Sequence, residues 1–187
     1  MSAKGQSIRT VGLGVLMASA CAGALWLASG TTVRAAQAPA PAADPQDIAE
    51  GMTIFRTKAD CQTCHGWAGD GRKMDTQMPD APSLRVSRLG RAGIIYAIKC
   101  GRPGRGMPAF DRMAYKDAAR CNGTTTADLE KNNLALNDPA SSLQPREIEM
   151  LADFLFAKVI GKGPMDTKAK CTEYWGGEEQ DVCNELK

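Results

Sequence analysis

The chain is poor in aromatic residues, which make up 5% of its 187 positions, and His65 is its only histidine. A site built from two or more imidazoles is therefore excluded. There is one Cys-x-x-Cys, at Cys61 and Cys64, and no second. A structural zinc site needs about four ligands, more than this cluster and one histidine supply. A thioredoxin-like dithiol would sit in a βαβ context, and that pattern is missing too. No segment alternates apolar and polar residues, and no repeat appears, so strands and repeat arrays are not expected. Basic and aromatic residues are not interleaved, which removes nucleic-acid binding.

The chain is long enough for one compact domain. Its start looks unlike the rest. Lys4 and Arg9 precede an apolar run from Val11 to Ser29, and Val33, Arg34 and Ala35 offer small-residue spacing for cleavage. That is the layout of a secretory signal peptide over residues 1–35, so a periplasmic location is expected. Contact with a membrane is expected only if this segment stays uncleaved. An Ala/Pro linker follows over residues 36–44. Without residues 1–35 the charge is −1, but unevenly spread: residues 56–120 carry +7 and residues 121–187 carry −5. Such asymmetry steers a docking partner more often than it shapes a fold.

Residues 45–163 are expected to form the folded domain, all-α with loops. Asp44 and Pro45 open a helix that carries Ile48, Met52 and Phe55 and runs to about Lys58. Residues 66–83 read as loop. Leu89, Ile94, Ile95 and Ile98 suggest a second helix, ended by Gly101 and Pro103. Residues 111–144 are polar with little pattern. Pro145 opens the clearest helix, with Ile148, Leu151, Phe154, Leu155 and Val159 on one stripe, stopped by Gly161 and Gly163. Residues 164–187 read as a charged tail tied down by a cysteine pair. Cys100, Cys121, Cys171 and Cys183 allow three pairings, and the sequence-local one, 100–121 with 171–183, is taken here.

The stretch CQTCHGWAGDG at residues 61–71 has a third use beyond zinc and dithiol chemistry. Two thiols three residues apart can add to the two vinyl groups of a porphyrin, and the adjacent imidazole then lies against the iron. One covalent haem c is thus the expected cofactor. It also supplies the large apolar core element that the aromatic side chains do not. Beyond the leader, Met52, Met74, Met78, Met107, Met113, Met150 and Met165 are open as the second ligand. Met52 and Met150 fall on apolar helix faces and read as core. Met107 sits in GRPGRGMPAF, a glycine-rich strap with no apolar stripe to join, and is favoured.

CQTCHGWAGDG, APSL at 81–84, GMPAF at 106–110 and EIEMLADFL at 147–155 together resemble the class I monohaem cytochromes c, periplasmic c-type cytochromes, over about residues 45–160. Gly51 and Phe55 match the family's first helix where it crosses the last, near Phe154. The resemblance implies three to four helices and loops wrapped around one haem, attached through Cys61 and Cys64. It implies His65 as proximal and Met107 as distal iron ligand, and the Pro82 carbonyl as acceptor of the His65 Nδ1–H bond. The long segment around Cys121 and the cysteine tail depart from the family pattern.

With thioether and imidazole both on the iron, no site is left for a substrate, and a carrier rather than an enzyme is expected. The expected role is transfer of single electrons between a dehydrogenase and an oxidase. Arg72, Lys73, Arg102, Arg105 and Arg112 would form a basic rim for redox partners with acidic docking surfaces. Two alternatives stand beside it. One is a dedicated cytochrome subunit of a periplasmic quinoprotein dehydrogenase, and the other a gas-binding or peroxidase haem protein with a labile methionine.

Overall fold

Asp44 and Pro45 start the first helix for separate reasons. The Asp44 carboxylate accepts from the Gln46 amide at 2.8 Å, and Pro45 presents no amide where none would be satisfied. In the computed structural model, which describes residues 43–178 and 180–186, this gives α1, Pro45–Thr53, continued by a wider π-type turn over Ile54–Lys58. Five more α-helices follow: α2, Gln62–His65; α3, Arg91–Cys100; α4, Thr126–Lys131; α5, Pro145–Phe154; and α6, Lys168–Tyr174. A π-type turn extends α5 over Leu155–Val159, and a 3₁₀ turn spans Asp181–Glu185. No strand occurs among the described residues, apart from an isolated bridge between Arg102 and Met107.

The frame is the crossing of α1 and α5. Gly51 lies where α1 meets α5, and a methyl group there would stand 2.1 Å from the Met150 carbonyl oxygen and 2.7 Å from Phe154 Cβ. Only glycine permits that approach. It lets Phe55 and Phe154 meet with ring centres 5.5 Å apart, both fully buried. Arg146 Nη2 donates to both carboxylate oxygens of Asp47, at 2.5 and 2.7 Å, and Lys58 pairs with Glu147, at the exposed margin of the crossing. Exposed pairs of this kind contribute little beside the buried rings. α3 joins α5 through Arg91, which bonds Glu149 and Asp153, both at 2.7 Å. It begins at Arg91 behind Gly90, so Leu89 stays outside it and exposed.

The cysteines pair as expected, Cys100 with Cys121 and Cys171 with Cys183. The first bridge anchors a small second cluster of Cys100, Ala109, Ala114, Tyr115, Cys121 and Leu129. Within the stretch expected to lack pattern, α4 forms on a capping box between Thr125 and Asp128. Its six residues are too few to show an apolar period.

The C-terminal segment is more than a charged tail. Met165, Cys171, Tyr174 and Cys183 are buried in the main core. Tyr174 meets Phe154 at 5.9 Å and Trp67 at 5.6 Å between ring centres, Trp175 stacks on Trp67 at 6.2 Å, and the Arg56 guanidinium covers Trp175 at 4.5 Å. The 171–183 bridge, closing a short loop, is worth about 3 kcal/mol to this arrangement. No helix among the described residues is long and apolar enough to cross a membrane. The expected leader, and the linker up to residue 42, lie outside the described residues.

Replacing Gly51 with alanine forces the Met150 backbone to move. Urea unfolding of Gly51→Ala should show a loss of about 3 kcal/mol, at the upper end for overpacking, with an unchanged slope.

Candidate haem site

The turn that carries the thiols is set by two conformational breaks. Asp60 takes a left-handed conformation at φ 47° and ends the first helix, a place that short polar side chains tolerate. Cys61 to His65 then make one helical turn, closed by His65 N–H to Cys61 O at 2.9 Å and Gly66 N–H to Gln62 O at 2.8 Å. Gly66 leaves it at φ 78°, where a methyl group would lie 2.6 Å from the Arg72 carbonyl oxygen. The chain doubles back, and Gly71 N–H reaches the His65 carbonyl at 2.8 Å. Cys61, Cys64 and His65 thus share a single turn. The two thiols are the only unpaired cysteines among the described residues.

His65 is 9% exposed, and its Nδ1 donates to the Pro82 carbonyl at 3.0 Å. A carbonyl can only accept, so this bond places the proton on Nδ1 and leaves the Nε2 lone pair free. Burial holds the imidazole below its usual range, against the Pro82 bond, so the ring is neutral near pH 7. Burial and then the Asp60 carboxylate push the Cys61 thiol up to about 12. Burial, with Asp60 and Asp75, also raises Cys64. Such surroundings disfavour a pair of thiolates and accept uncharged sulfur.

That donor set fits a porphyrin joined through two thioethers. Cys61 and Cys64 would hold it, and the His65 Nε2 would meet its iron.

Met107 lies on a separate strap. Gly101, at φ 62°, ends α3 so tightly that a methyl group there would lie 2.5 Å from the Pro108 carbonyl. Arg102 N–H bonds Met107 O at 2.9 Å, and Phe110 N–H returns to Ile98 O at 3.1 Å. Asn137 Nδ2 donates to Gly106 O at 3.1 Å, Gly104 N–H donates to Ala135 O at 2.6 Å, and Pro79 packs against Gly106. Behind the strap, the Tyr115 hydroxyl bonds Cys100 O at 2.6 Å beside the Cys100–Cys121 bridge. Met107 itself is half-buried, as a residue between strap and interior. Met74, Met78 and Met113 are exposed, Met165 is buried, and Met52 and Met150 pack against the core.

Of the basic residues singled out, Arg72, Arg102, Arg105 and Arg112 are exposed. Lys73 is partly neutralised by Asp80 at 2.8 Å, and Arg72 reaches Asp70 at 3.3 Å. Sequence reasoning missed three residues behind the motif: Trp67, Arg85 and Tyr174. Trp67 had a signal, two positions past the histidine. Arg85 had none, because nothing in a lone arginine after APSL indicates burial.

Residues 46–120, under half of the chain, match the family described as cytochrome c oxidase, cbb3-type, subunit III. The matched stretch contains Cys61, Cys64, His65, Pro82 and Met107 and stops short of Cys121. No curated protein and no solved structure matches the chain.

Replacing both Cys61 and Cys64 with alanine should abolish covalent attachment. A denaturing gel would then show no haem-dependent peroxidase stain at the position of the protein, while the unaltered chain stains.

Proposed function

On the premise that residues 46–120 are a class I c-type cytochrome domain, with covalently bound haem c and haem-based electron transfer as its function, we propose that the protein is a periplasmic carrier of single electrons with His65 and Met107 as axial ligands. The observation that carries this reading is the His65–Pro82 bond one turn from two unpaired thiols. Haem iron supplies the reversible one-electron change. The chain supplies attachment at Cys61 and Cys64, a neutral imidazole of fixed orientation, and a strap that presents a thioether. Met107 is the methionine for this role because its strap is non-helical and held at several points. A thioether favours the reduced iron and so raises the potential.

The apolar leader and the two buried disulfides support export, since such bridges form and persist in oxidising compartments. The matched family takes its name from an oxidase subunit, which favours an oxidase on the accepting side. Arg72, Arg102 and Arg105 are exposed on the haem-motif exit and the Met107 strap, and would meet an acidic partner there. The C-terminal segment packs on Trp67 and Phe154. It therefore serves the fold first and gives no separate support to a dedicated dehydrogenase subunit.

Two outcomes test this reading. Met107→Ala should lower the reduction potential in a spectroelectrochemical titration and turn the ferric spectrum high-spin, and an unchanged potential would count against Met107. The second-order rate of electron transfer to an acidic redox protein should fall about tenfold or more as ionic strength rises from roughly 0.01 to 0.2 M. A salt-independent rate would remove the basic rim from the account.

A further inference from the structure

Three successive carbonyls follow the haem-attachment turn, and each is held. Trp67 O accepts from the Tyr174 hydroxyl at 2.7 Å. Ala68 O accepts from Arg85 Nη1 at 3.2 Å. Gly69 O accepts from the amides of Leu84 and Arg85 at 2.8 and 3.3 Å. Arg85 is also tied from the other side: its Nε donates to the Gly163 carbonyl, and its own carbonyl accepts from Gly161 N–H at 3.0 Å. The segment from Pro82 to Arg85 is thus clamped between the exit of the motif and the start of the C-terminal segment.

Arg85 is an expensive way to make that clamp. It is 3% exposed, and among the described residues no carboxylate forms an ion pair with it. Asp70, Asp166 and Glu173 act on it only at a distance. Burying a charge without a paired opposite charge is costly, and an apolar residue would fill the space more cheaply. The guanidinium offers what an apolar residue cannot, a rigid planar fork that bonds Ala68 and Gly163 at once. Tyr174 is placed in the same way, with its ring in the aromatic core and its hydroxyl on the motif exit.

We propose that Arg85 and Tyr174 are positioning residues for the proximal ligand: they fix the Pro82 carbonyl against His65 Nδ1 and thereby set the reduction potential. The inference rests on the reading of His65 as that ligand. A well-aligned Nδ1–H···O bond leaves more electron density on the imidazole, which stabilises the oxidised iron. Loosening the clamp weakens the bond, makes the imidazole a poorer donor and raises the potential. The C-terminal segment, outside the matched stretch, is in this way part of the redox site.

The test uses the full-length, haem-loaded protein with Tyr174→Phe and Arg85→Lys. The first removes one hydroxyl and keeps the ring. The second keeps the charge and loses the fork. Both variants should have a higher reduction potential than the parent. In paramagnetic NMR of the ferric protein, the His65 Nδ1 proton should exchange roughly five to ten times faster, the factor that loss of about one hydrogen bond represents. An unchanged or lower potential with parental exchange, even alongside a reduced melting temperature, would show that both residues only stabilise the fold and would overturn the proposal. If Arg85→Lys does not fold, Tyr174→Phe decides on the same two readings. A parent protein whose His65 ring shows no paramagnetic shift would overturn the ligand assignment itself, and this inference with it.

Discussion

The hydrogen bond from His65 Nδ1 to the Pro82 carbonyl, 3.0 Å long, is the constraint around which the rest is arranged. It joins the end of α2 to a loop 17 residues further on and assigns the two nitrogens of the only histidine to different tasks. For it to form, the chain must leave the thiol-bearing turn sharply, which Gly66 does at φ 78°. Residues 69 and 71 must then run close beside residues 81–84. A methyl group on Gly71 would lie 3.0 Å from the Ser83 amide nitrogen, which shows how near they are. The glycines after the motif are therefore what allows two irregular segments to lie flush without regular secondary structure.

A loop arrangement of this kind needs a rigid frame. The α1–α5 crossing provides it, with Gly51 removing the side chain that would hold the helices apart and Phe55 and Phe154 filling the space behind. From Phe154 the ring contacts continue to Tyr174, Trp67 and Trp175. Half of the ten aromatic side chains are thus spent on one continuous cluster, which runs from the helix crossing to the residue two past His65. Few rings remain for the rest of the domain, and a covalently held porphyrin would add the apolar surface that side chains do not supply. The disulfide at Cys171 and Cys183 keeps the C-terminal end of this cluster in place where helix α6 is too short to hold itself.

Much of this was legible in the sequence, for reasons that differ from element to element. α1 and α5 declared themselves through Pro at the first helical position and a long apolar stripe. The haem motif did so through spacing alone, and the disulfides through sequence proximity. α4 and α6 escaped because six and seven residues hold fewer than two apolar periods. The burial of the C-terminal segment escaped because its core residues, Met165, Tyr174 and the two cysteines, stand among charges that point outward. Arg85 and Tyr174 were hidden more deeply. Their roles come from backbone carbonyls, which carry no sequence signature, and from contacts 17 and 107 residues away.

Under the proposed ligation His65 and Met107 would close the iron on both sides, and the protein would pass electrons without binding a ligand at the metal. The most direct measurement is the optical spectrum of the mature ferrous protein before and after addition of carbon monoxide. A low-spin spectrum that the gas leaves unchanged is expected. A prompt shift on adding carbon monoxide would contradict the proposed ligation, because it would mean an open or weakly held sixth position and a protein that senses or reacts at its iron.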